Sequence, residues 1–146
     1  YLLLLVFALE LIIRQNITMN TLIIDAAKEE IFLMIIKSKN IYSISYENSK
    51  INYEKLVIFI NDFLNLKKLN INDISKIYVN QGPGSFAGIR NSLSVVKAIY
   101  VTKKIDYYCF SFKDLGKENN CKYEDIPNLC DKFKIKKNLI NPIYLS

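Results

Sequence analysis

The feature that most constrains the fold is a glycine-rich segment at residues 82–90, Gly-Pro-Gly-Ser-Phe-Ala-Gly-Ile-Arg, which follows a β-branched run at residues 74–79. It holds three of the four glycines of the chain. Glycine accepts a positive φ, and a serine before an apolar periodic stretch is typical of a helix N-cap. The order therefore predicts strand, glycine loop and helix. Such a corner suits a bound phosphate or a tightly packed partner, and equally a tight turn with a serine cap and nothing bound.

The nine residues together resemble the Gly-Pro-Gly-Ser-Phe-Thr-Gly-Leu-Arg signature of the TsaB (YeaZ) family, the non-catalytic partner in bacterial threonylcarbamoylation of tRNA. Eight of the nine residue types agree when Ile89 is counted as leucine. The resemblance implies a signature loop that is structural or contacts a phosphate. The loop residues carried over are Gly82, Pro83, Gly84, Ser85, Phe86, Gly88 and Arg90.

Other segments fall in the order of the same family, and the resemblance is strong over residues 19–115. Residues 22–25, Leu-Ile-Ile-Asp, are similar to its opening strand, and residues 56–60 lie where its first long helix lies. The Asn-Pro-Ile-Tyr-Leu-Ser ending at 141–146 resembles the Pro-x-Tyr-Leu-Arg ending of the family. These segments support one family across the larger part of the chain.

Three departures from the family pattern argue against nucleotide binding at the loop. The chain has Asp-Ala-Ala at 25–27 where the family has Asp-Thr-Ser, Ala87 replaces the signature threonine, and Asn-Ser at 91–92 replaces Ile-Gly. Hydroxyl groups that a nucleotide-binding relative would use are thus partly missing. Asp25 either retains the role of a carboxylate beside a metal or caps the turn that follows its strand.

Composition indicates one globular domain without a disulfide framework. The chain has 146 residues, of which 51% are hydrophobic and 23% charged, enough for one buried core. The net charge of +6 is mainly lysine and by itself gives only salt-screened attraction to nucleic acid. Cys109, Cys121 and Cys130 show no Cys-x-x-Cys spacing, so neither a zinc knuckle nor paired cysteines are indicated. A reducing cytoplasm is expected.

The absence of histidine argues against catalysis. The chain contains none, whereas serine and cysteine hydrolases need an imidazole or an equivalent base. By resemblance, the catalytic paralog of the family holds its metal with a His-x-x-x-His pair. No Asp-x-Asp cluster suggests a carboxylate site for Mg²⁺ either. We therefore predict no catalytic residue, no metal and no cofactor.

Hydrophobic periodicity predicts an α/β lobe. Residues 21–25, 30–37 and 41–46 are expected to form an antiparallel meander, and the strand, helix and strand around the glycine loop should be parallel with a right-handed crossover. The remaining predicted elements are a helix at 50–69, a strand at 74–79, a helix at 86–102, a strand at 107–112 and a final strand at 139–145. The β-β-β-α-β-α-β order and mixed sheet resemble a single N-terminal lobe of the actin-like, ribonuclease-H-like superfamily, to which TsaB belongs.

The two predicted helices also suggest a surface for another helix. The apolar arc of residues 50–69 covers about half the circumference, more than one sheet face buries. In the second helix, small residues recur at spacings of seven and four, which permits close helix approach. That approach is made either by the neighbouring helix of the lobe or by a partner protein. The candidate interface residues are Ala87, Ser94, Ala98, Leu56, Ile60 and Phe63.

Both ends of the chain differ in character from the lobe at 19–115. Residues 1–18 are an apolar extension that is short for a bilayer, which needs about twenty apolar residues, and that lacks the basic start of a signal peptide. Because Met19 precedes the first strand, we expect this extension to lie outside the native domain; the alternative is a truncated membrane anchor.

Residues 116–146 are expected to be a vestigial tail in place of the second lobe of the family, making this a short form. Their basic run at 132–137 is either a solvated linker or a contact with tRNA phosphates.

Taken with the resemblance, these features predict a cytoplasmic, non-catalytic scaffold. It would pair with a TsaD-type catalytic subunit in the presence of a TsaE-type ATPase, meet tRNA only indirectly, and form a homodimer when the partner is absent. No membrane contact is expected unless residues 1–18 are native. The alternatives are a minimal nucleotide-binding phosphotransferase or ATPase that uses the glycine loop and, more weakly, an independent RNA-binding module.

Overall fold

A five-stranded mixed sheet forms the centre of the molecule. The computed structural model describes residues 1–16, 19–116 and 121–144. The strands are β1 (Asn20–Asp25), β2 (Glu30–Lys37), β3 (Asn40–Glu47), β4 (Ile74–Asn80) and β5 (Asp106–Phe110). The helices are α1 (Leu2–Asn16), α2 (Lys50–Glu54), α3 (Leu56–Leu66), α4 (Phe86–Lys103) and α5 (Ile126–Lys132). Short 3-10 turns precede β4 and α5.

The strand order is β3-β2-β1-β4-β5, which confirms the predicted α/β topology. β1 pairs antiparallel with β2, and β2 antiparallel with β3, so the predicted meander is correct. β4 lies parallel to both β1 and β5. Parallel neighbours need a long crossover, and α4 supplies it between β4 and β5.

Both faces of the sheet are buried, each under different elements. Side chains alternate in β1: Leu22 and Ile24 join the core beneath α2, α3 and α4, while Ile23 joins the core on the opposite face. On that second face, Ile126 and Cys130 of α5 complete the packing, and both are nearly inaccessible. Helix α5, which lies in the stretch expected to be a tail, therefore covers part of one side of the sheet.

Two predicted elements differ from the structure. The helix predicted at 50–69 is interrupted at Lys55, whose N–H donates to the Asn52 carbonyl 3.1 Å away, in the shorter i to i+3 pattern. The final strand at 139–145 is wrong: its described residues form a single parallel bridge, between Tyr144 and Gly84, and Leu145 lies outside the described residues. The N–H of Ile143 donates to the Gln81 carbonyl instead, so this segment joins the glycine loop without forming a regular strand.

The N-terminal helix α1 exposes most of its apolar side chains. Leu2, Leu3 and Leu4 are each more than 70% exposed. No helix within the described parts of the chain is long and apolar enough to cross a membrane. The expectation that residues 1–18 lie outside the native domain stays a prediction, and residues 17 and 18 lie outside the described residues.

Candidate functional site: the glycine loop and the helical groove

The glycine loop connects β4 to α4, and its glycines lie where other backbone segments approach closely. A Cβ at Gly84 would collide with the Ala27 carbonyl oxygen, and one at Gly88 would collide with that of Ala26. Gly82 has a φ of +111°, which side chains rarely adopt. The three signature glycines are therefore required by the packing of the loop within the lobe.

Ser85 caps α4 and ties the loop to two other segments. Its Oγ accepts a hydrogen bond from the Gly88 N–H (3.3 Å) and lies 2.8 Å from the Tyr53 hydroxyl. Its own N–H donates to the Ala27 carbonyl at 2.9 Å. The predicted N-cap is confirmed, and the Ser85 N–H is paired within the chain.

The C-terminal segment closes the other side of the loop. The N–H of Ile143 donates to the Gln81 carbonyl (2.8 Å), and the N–H of Asn141 donates to Gln81 Oε1 (3.1 Å). The Gly82 N–H donates to Asn80 Oδ1 at 2.9 Å. The loop is thus held from both sides by hydrogen bonds within the chain.

Asp25, at the end of β1, is fully buried and both its carboxyl oxygens are engaged. Oδ1 accepts from the Ala27 N–H at 3.0 Å, which is a turn cap, and Oδ2 accepts from the Tyr123 hydroxyl at 2.6 Å. Tyr123 stacks on Phe32 with ring centroids 4.1 Å apart. Burial, and then the negative charge of Asp25, raise the pKa of Tyr123 above its ordinary value, so the phenol stays protonated and donates.

A cavity of about 740 Å³, here called the loop pocket, opens beside Ser85 and Tyr123. Its lining includes the charged residues Lys28, Glu29 and Glu30, two acidic and one basic. This balance disfavours an anionic ligand. Across the residues that the structure describes, no group of three or more histidine, cysteine, aspartate or glutamate side chains is placed to hold a metal ion.

The remaining signature side chains point outward. Phe86 is 55% exposed and contacts the Tyr144 ring, with the two centroids 4.7 Å apart. Pro83 and Arg90 are also exposed. The loop residues assigned by resemblance therefore divide into glycines packed against other backbone segments and an exposed rim of Pro83, Phe86 and Arg90.

A second cavity, of about 420 Å³, runs along α4 beside α2 and α3 and is here called the α3–α4 groove. Leu56 and Ile60 line it and are only 1% and 3% exposed, so they form its floor. Ser94 and Ala98 line it from α4 and are exposed. The structure thus brings together four of the candidate interface residues.

The other two candidate residues lie elsewhere. Phe63 is 2% exposed and packs in the core rather than lining the groove. Ala87 is half-buried in the first turn of α4 and packs against the same core. Neither borders the groove.

Two hydroxyl groups of the groove wall donate hydrogen bonds to their own helix. The Ser94 hydroxyl donates to the Arg90 carbonyl and the Thr102 hydroxyl to the Ala98 carbonyl, each at 2.8 Å. Such bonds satisfy the hydroxyls and leave carbon facing outward. The groove therefore offers an apolar surface, with Glu54 and Lys103 as its charged members.

Sequence reasoning missed Tyr123 and Gln81. Tyr123 lies 98 positions from the carboxyl group it binds, in a charged stretch without clear periodicity, so no local pattern points to the pair. Gln81 precedes the signature and gives no motif of its own. Only the Asn-Pro-x-Tyr ending of the chain carried a sequence signal for the contact at Gln81.

Comparison with known proteins gives a sequence relative and two similar structures. The chain is 29% identical over 90 residues to the tRNA threonylcarbamoyladenosine biosynthesis protein TsaB of Buchnera aphidicola subsp. Schizaphis graminum, covering 62% of this chain and 43% of that protein. It matches YeaZ from Pseudomonas aeruginosa with a TM-score of 0.61 at 18% identity, covering 67% of this chain and 46% of that one. A second Pseudomonas aeruginosa structure, described as similar to peptidase YEAZ, matches with the same values. No family model matches the chain.

The meander, the parallel crossover and the glycine corner define an actin-like, ribonuclease-H-like lobe, and the likeness to YeaZ supports that fold. The sequence match to TsaB supports the resemblance of this chain to the TsaB (YeaZ) family. The chain spans less than half the length of the relatives named above.

Proposed function

We propose that this chain is a non-catalytic subunit in tRNA threonylcarbamoyladenosine biosynthesis. In this proposal it supports a TsaD-type transferase, works in the presence of a TsaE-type ATPase and meets tRNA only indirectly. The observation that carries the proposal is a contrast: the glycine loop and Asp25 are engaged within the lobe, whereas the α3–α4 groove is open and apolar. The lobe at 19–115 is proposed as the part that provides this surface.

The contacts of Asp25 support a non-catalytic role. A carboxylate that binds a metal or acts as a base must reach its ligand, whereas Asp25 is fully buried and each of its oxygens accepts a hydrogen bond from the chain. The chain also lacks histidine altogether. We therefore expect that the purified chain neither hydrolyses ATP nor forms threonylcarbamoyladenosine alone. Turnover that survives repurification and disappears in Asp25→Asn would favour a nucleotide-using enzyme and overturn this part of the proposal.

The groove supports helix packing by a partner protein. Small or apolar side chains of α4 and α3 line it, among them Val57, which is more than half exposed. Contiguous exposed apolar surface is typical of interaction sites. Small wall residues allow a second helix to approach closely.

The test is binding of the full chain to a purified TsaD-type subunit, measured by sedimentation velocity and calorimetry. Ala98→Glu places a charge in the groove wall and should weaken binding at least about a hundredfold, because an unpaired charge at an interface centre is costly. Asn128→Glu adds a charge at an exposed position of α5, on the other face of the sheet, and should change binding less than about threefold. Normal binding by Ala98→Glu would show that the groove is not the interface.

A further inference from the structure

A small cavity, here called the strand-end pocket, lies at the carboxyl ends of the parallel strands β4 and β5. Ligands of open α/β sheets commonly bind at this end of the strands. Its volume is about 220 Å³, which is below the usual range for drug-sized ligands and equals about seven molecules of liquid water. It shares no lining residue with the loop pocket or the α3–α4 groove. Its lining includes Gln81, Cys109, Asp114, Lys134, Ile135 and Lys136.

Gln81 has one hydrogen-bonding group without a partner. Its backbone N–H donates to the Phe110 carbonyl at 2.9 Å, and its backbone carbonyl accepts from the Ile143 N–H at 2.8 Å. Its side-chain Oε1 accepts from the Asn141 N–H at 3.1 Å, and this bond fixes the orientation of the amide because only the oxygen can accept. Within the part of the chain that the structure describes, the amide nitrogen Nε2 donates to no other group.

This unpartnered amide nitrogen belongs to a deeply buried side chain that lines the strand-end pocket. Gln81 is only 7% exposed, and donors buried to this extent are nearly always paired. The two N–H donors of the amide therefore indicate that an acceptor occupies the pocket. Water can fill this role, but the charges around the pocket favour an anion.

The charged residues of the lining are two bases and one acid. Lys134 and Lys136 are the bases and Asp114 is the acid, so the lining has a net charge of +1. A positive balance favours an anion, and Asp114 repels a phosphate dianion more than it repels a monoanion. Carboxylate oxygens accept charge-assisted hydrogen bonds from ammonium groups and also accept from amide N–H groups.

A fixed turn carries the two lysines. Lys134 follows α5 with a φ of +54°. Its N–H donates to the Asp131 carbonyl at 3.2 Å, and the Ile135 N–H donates to the Cys130 carbonyl at 3.0 Å. This pair of bonds is the Schellman pattern that ends a helix. The backbone that leads to Lys136 is thus held against the end of α5.

Cys109 and Ile135 give the strand-end pocket an uncharged side. Cys109 is 3% exposed, and burial raises the pKa of its thiol to about 12, so the thiol stays protonated and does not repel an anion. Ile135 packs against the core beneath α5. A ligand of this pocket therefore combines an anionic group with a short apolar part.

We propose that the strand-end pocket binds a small free carboxylate. The carboxylate oxygens accept hydrogen bonds from the Gln81 amide and from the ammonium groups of Lys134 and Lys136, and the short carbon chain lies against Ile135. The small volume of the pocket favours a free molecule over an acidic side chain of another protein. The proposal does not rest on the function proposed above, because none of these residues lines the α3–α4 groove.

The test is an NMR titration of the isotope-labelled full chain with sodium propionate. The side-chain NH₂ signals of Gln81 and the backbone N–H signal of Lys136 should shift and saturate, with a dissociation constant of about 1 mM. Propionamide has nearly the same shape without the charge and should bind at least about tenfold more weakly. Inorganic phosphate at the same ionic strength should also bind at least about tenfold more weakly, because of Asp114.

Three variants test the residues of the site. Gln81→Glu keeps the acceptor for the Asn141 N–H but replaces the amide donors with a carboxylate oxygen, and should weaken propionate binding at least about thirtyfold. It also removes the NH₂ signals of Gln81 and so assigns them. Lys136→Gln should weaken binding about fivefold. Lys132→Gln is the matched control, because Lys132 belongs to the same basic run without lining the pocket, and should change binding less than about twofold.

Several outcomes would contradict the proposal. Absence of saturable shifts up to about 50 mM propionate would overturn it. Equal binding of propionamide, or equal losses in the Lys132 and Lys136 variants, would do the same, because the pocket would then not recognise the carboxylate. Tighter binding of phosphate would overturn the choice of anion, and tighter binding of N-acetylglutamate α-amide would overturn the choice of a free molecule. If Gln81→Glu does not fold, the combined change of Lys134→Gln and Lys136→Gln replaces it and should weaken binding at least about tenfold.

Discussion

The glycine loop and the α3–α4 groove both involve α4, yet they use small residues in opposite ways. At the loop, Gly84 and Gly88 make room for the carbonyl groups of Ala27 and Ala26, so the space is filled by the chain itself. In the groove, Ser94 and Ala98 leave an exposed apolar channel. The glycines of the strongest sequence motif in the chain are therefore required for internal packing, whereas the less distinctive surface of α4 lines an apolar groove.

The largest expected effect is at Gly84. Gly84→Ala should lower the free energy of unfolding by about 3 kcal/mol, because even one methyl group would meet the Ala27 carbonyl. Gly116→Ala is the matched control: its Cβ would meet only the Phe133 ring, at 3.4 Å, and its positive φ should cost about 1 kcal/mol. Urea denaturation measures both. Equal losses would mean that the close approach of the Ala27 carbonyl is not the reason why position 84 requires glycine.

The next effect concerns the contact that occupies Asp25. Tyr123→Phe removes the donor to Oδ2 and should cost about 2 kcal/mol, the range for a hydrogen bond to a charged group. Tyr144→Phe makes the same change on a ring that is 40% exposed and should change stability by less than about 0.5 kcal/mol. Calorimetry measures the melting temperature of both variants. Equal melting temperatures would show that the hydrogen bond from Tyr123 to Asp25 does not stabilise the lobe.

A smaller effect is expected at the helix cap. Ser85→Ala removes the acceptor for the Gly88 N–H and the partner of the Tyr53 hydroxyl, and should cost about 1 kcal/mol. In Ser94→Ala the lost hydroxyl bonded only to its own helix, so stability should be nearly unchanged. Thermal melts followed by circular dichroism compare the two. Equal stability of Ser85→Ala and Ser94→Ala would show that the Ser85 cap does not stabilise the lobe.

The smallest effect on folding is expected in the groove. Ala98→Glu should shift the unfolding free energy by less than about 0.5 kcal/mol, because Ala98 is exposed. The same denaturation experiment measures it. A loss of 2 kcal/mol or more would place Ala98 inside the packed lobe and would remove the difference between groove and loop.

Most of the lobe could be predicted from local pattern. β1, β2, β3, β4 and α4 each lie within two residues of their predicted bounds, because β-branched runs and helical spacing are local signals. The break at Lys55 was missed because apolar spacing continues through it. The strand at 139–145 was predicted from its apolar residues, but the backbone there bonds to Gln81, a partner that no local pattern identifies.

The sequence by itself determined that residues 82–90 form a glycine corner between a strand and a capped helix, and these residues resemble the signature of the TsaB (YeaZ) family. Only the tertiary structure decided what fills that corner: the carbonyl groups of Ala26 and Ala27 and the segment around Ile143. It also decided that Tyr123 binds Asp25 from 98 positions away. The physical reason is that glycine tolerance and capping depend on a residue and its near neighbours, whereas these contacts depend on how distant segments pack around the sheet.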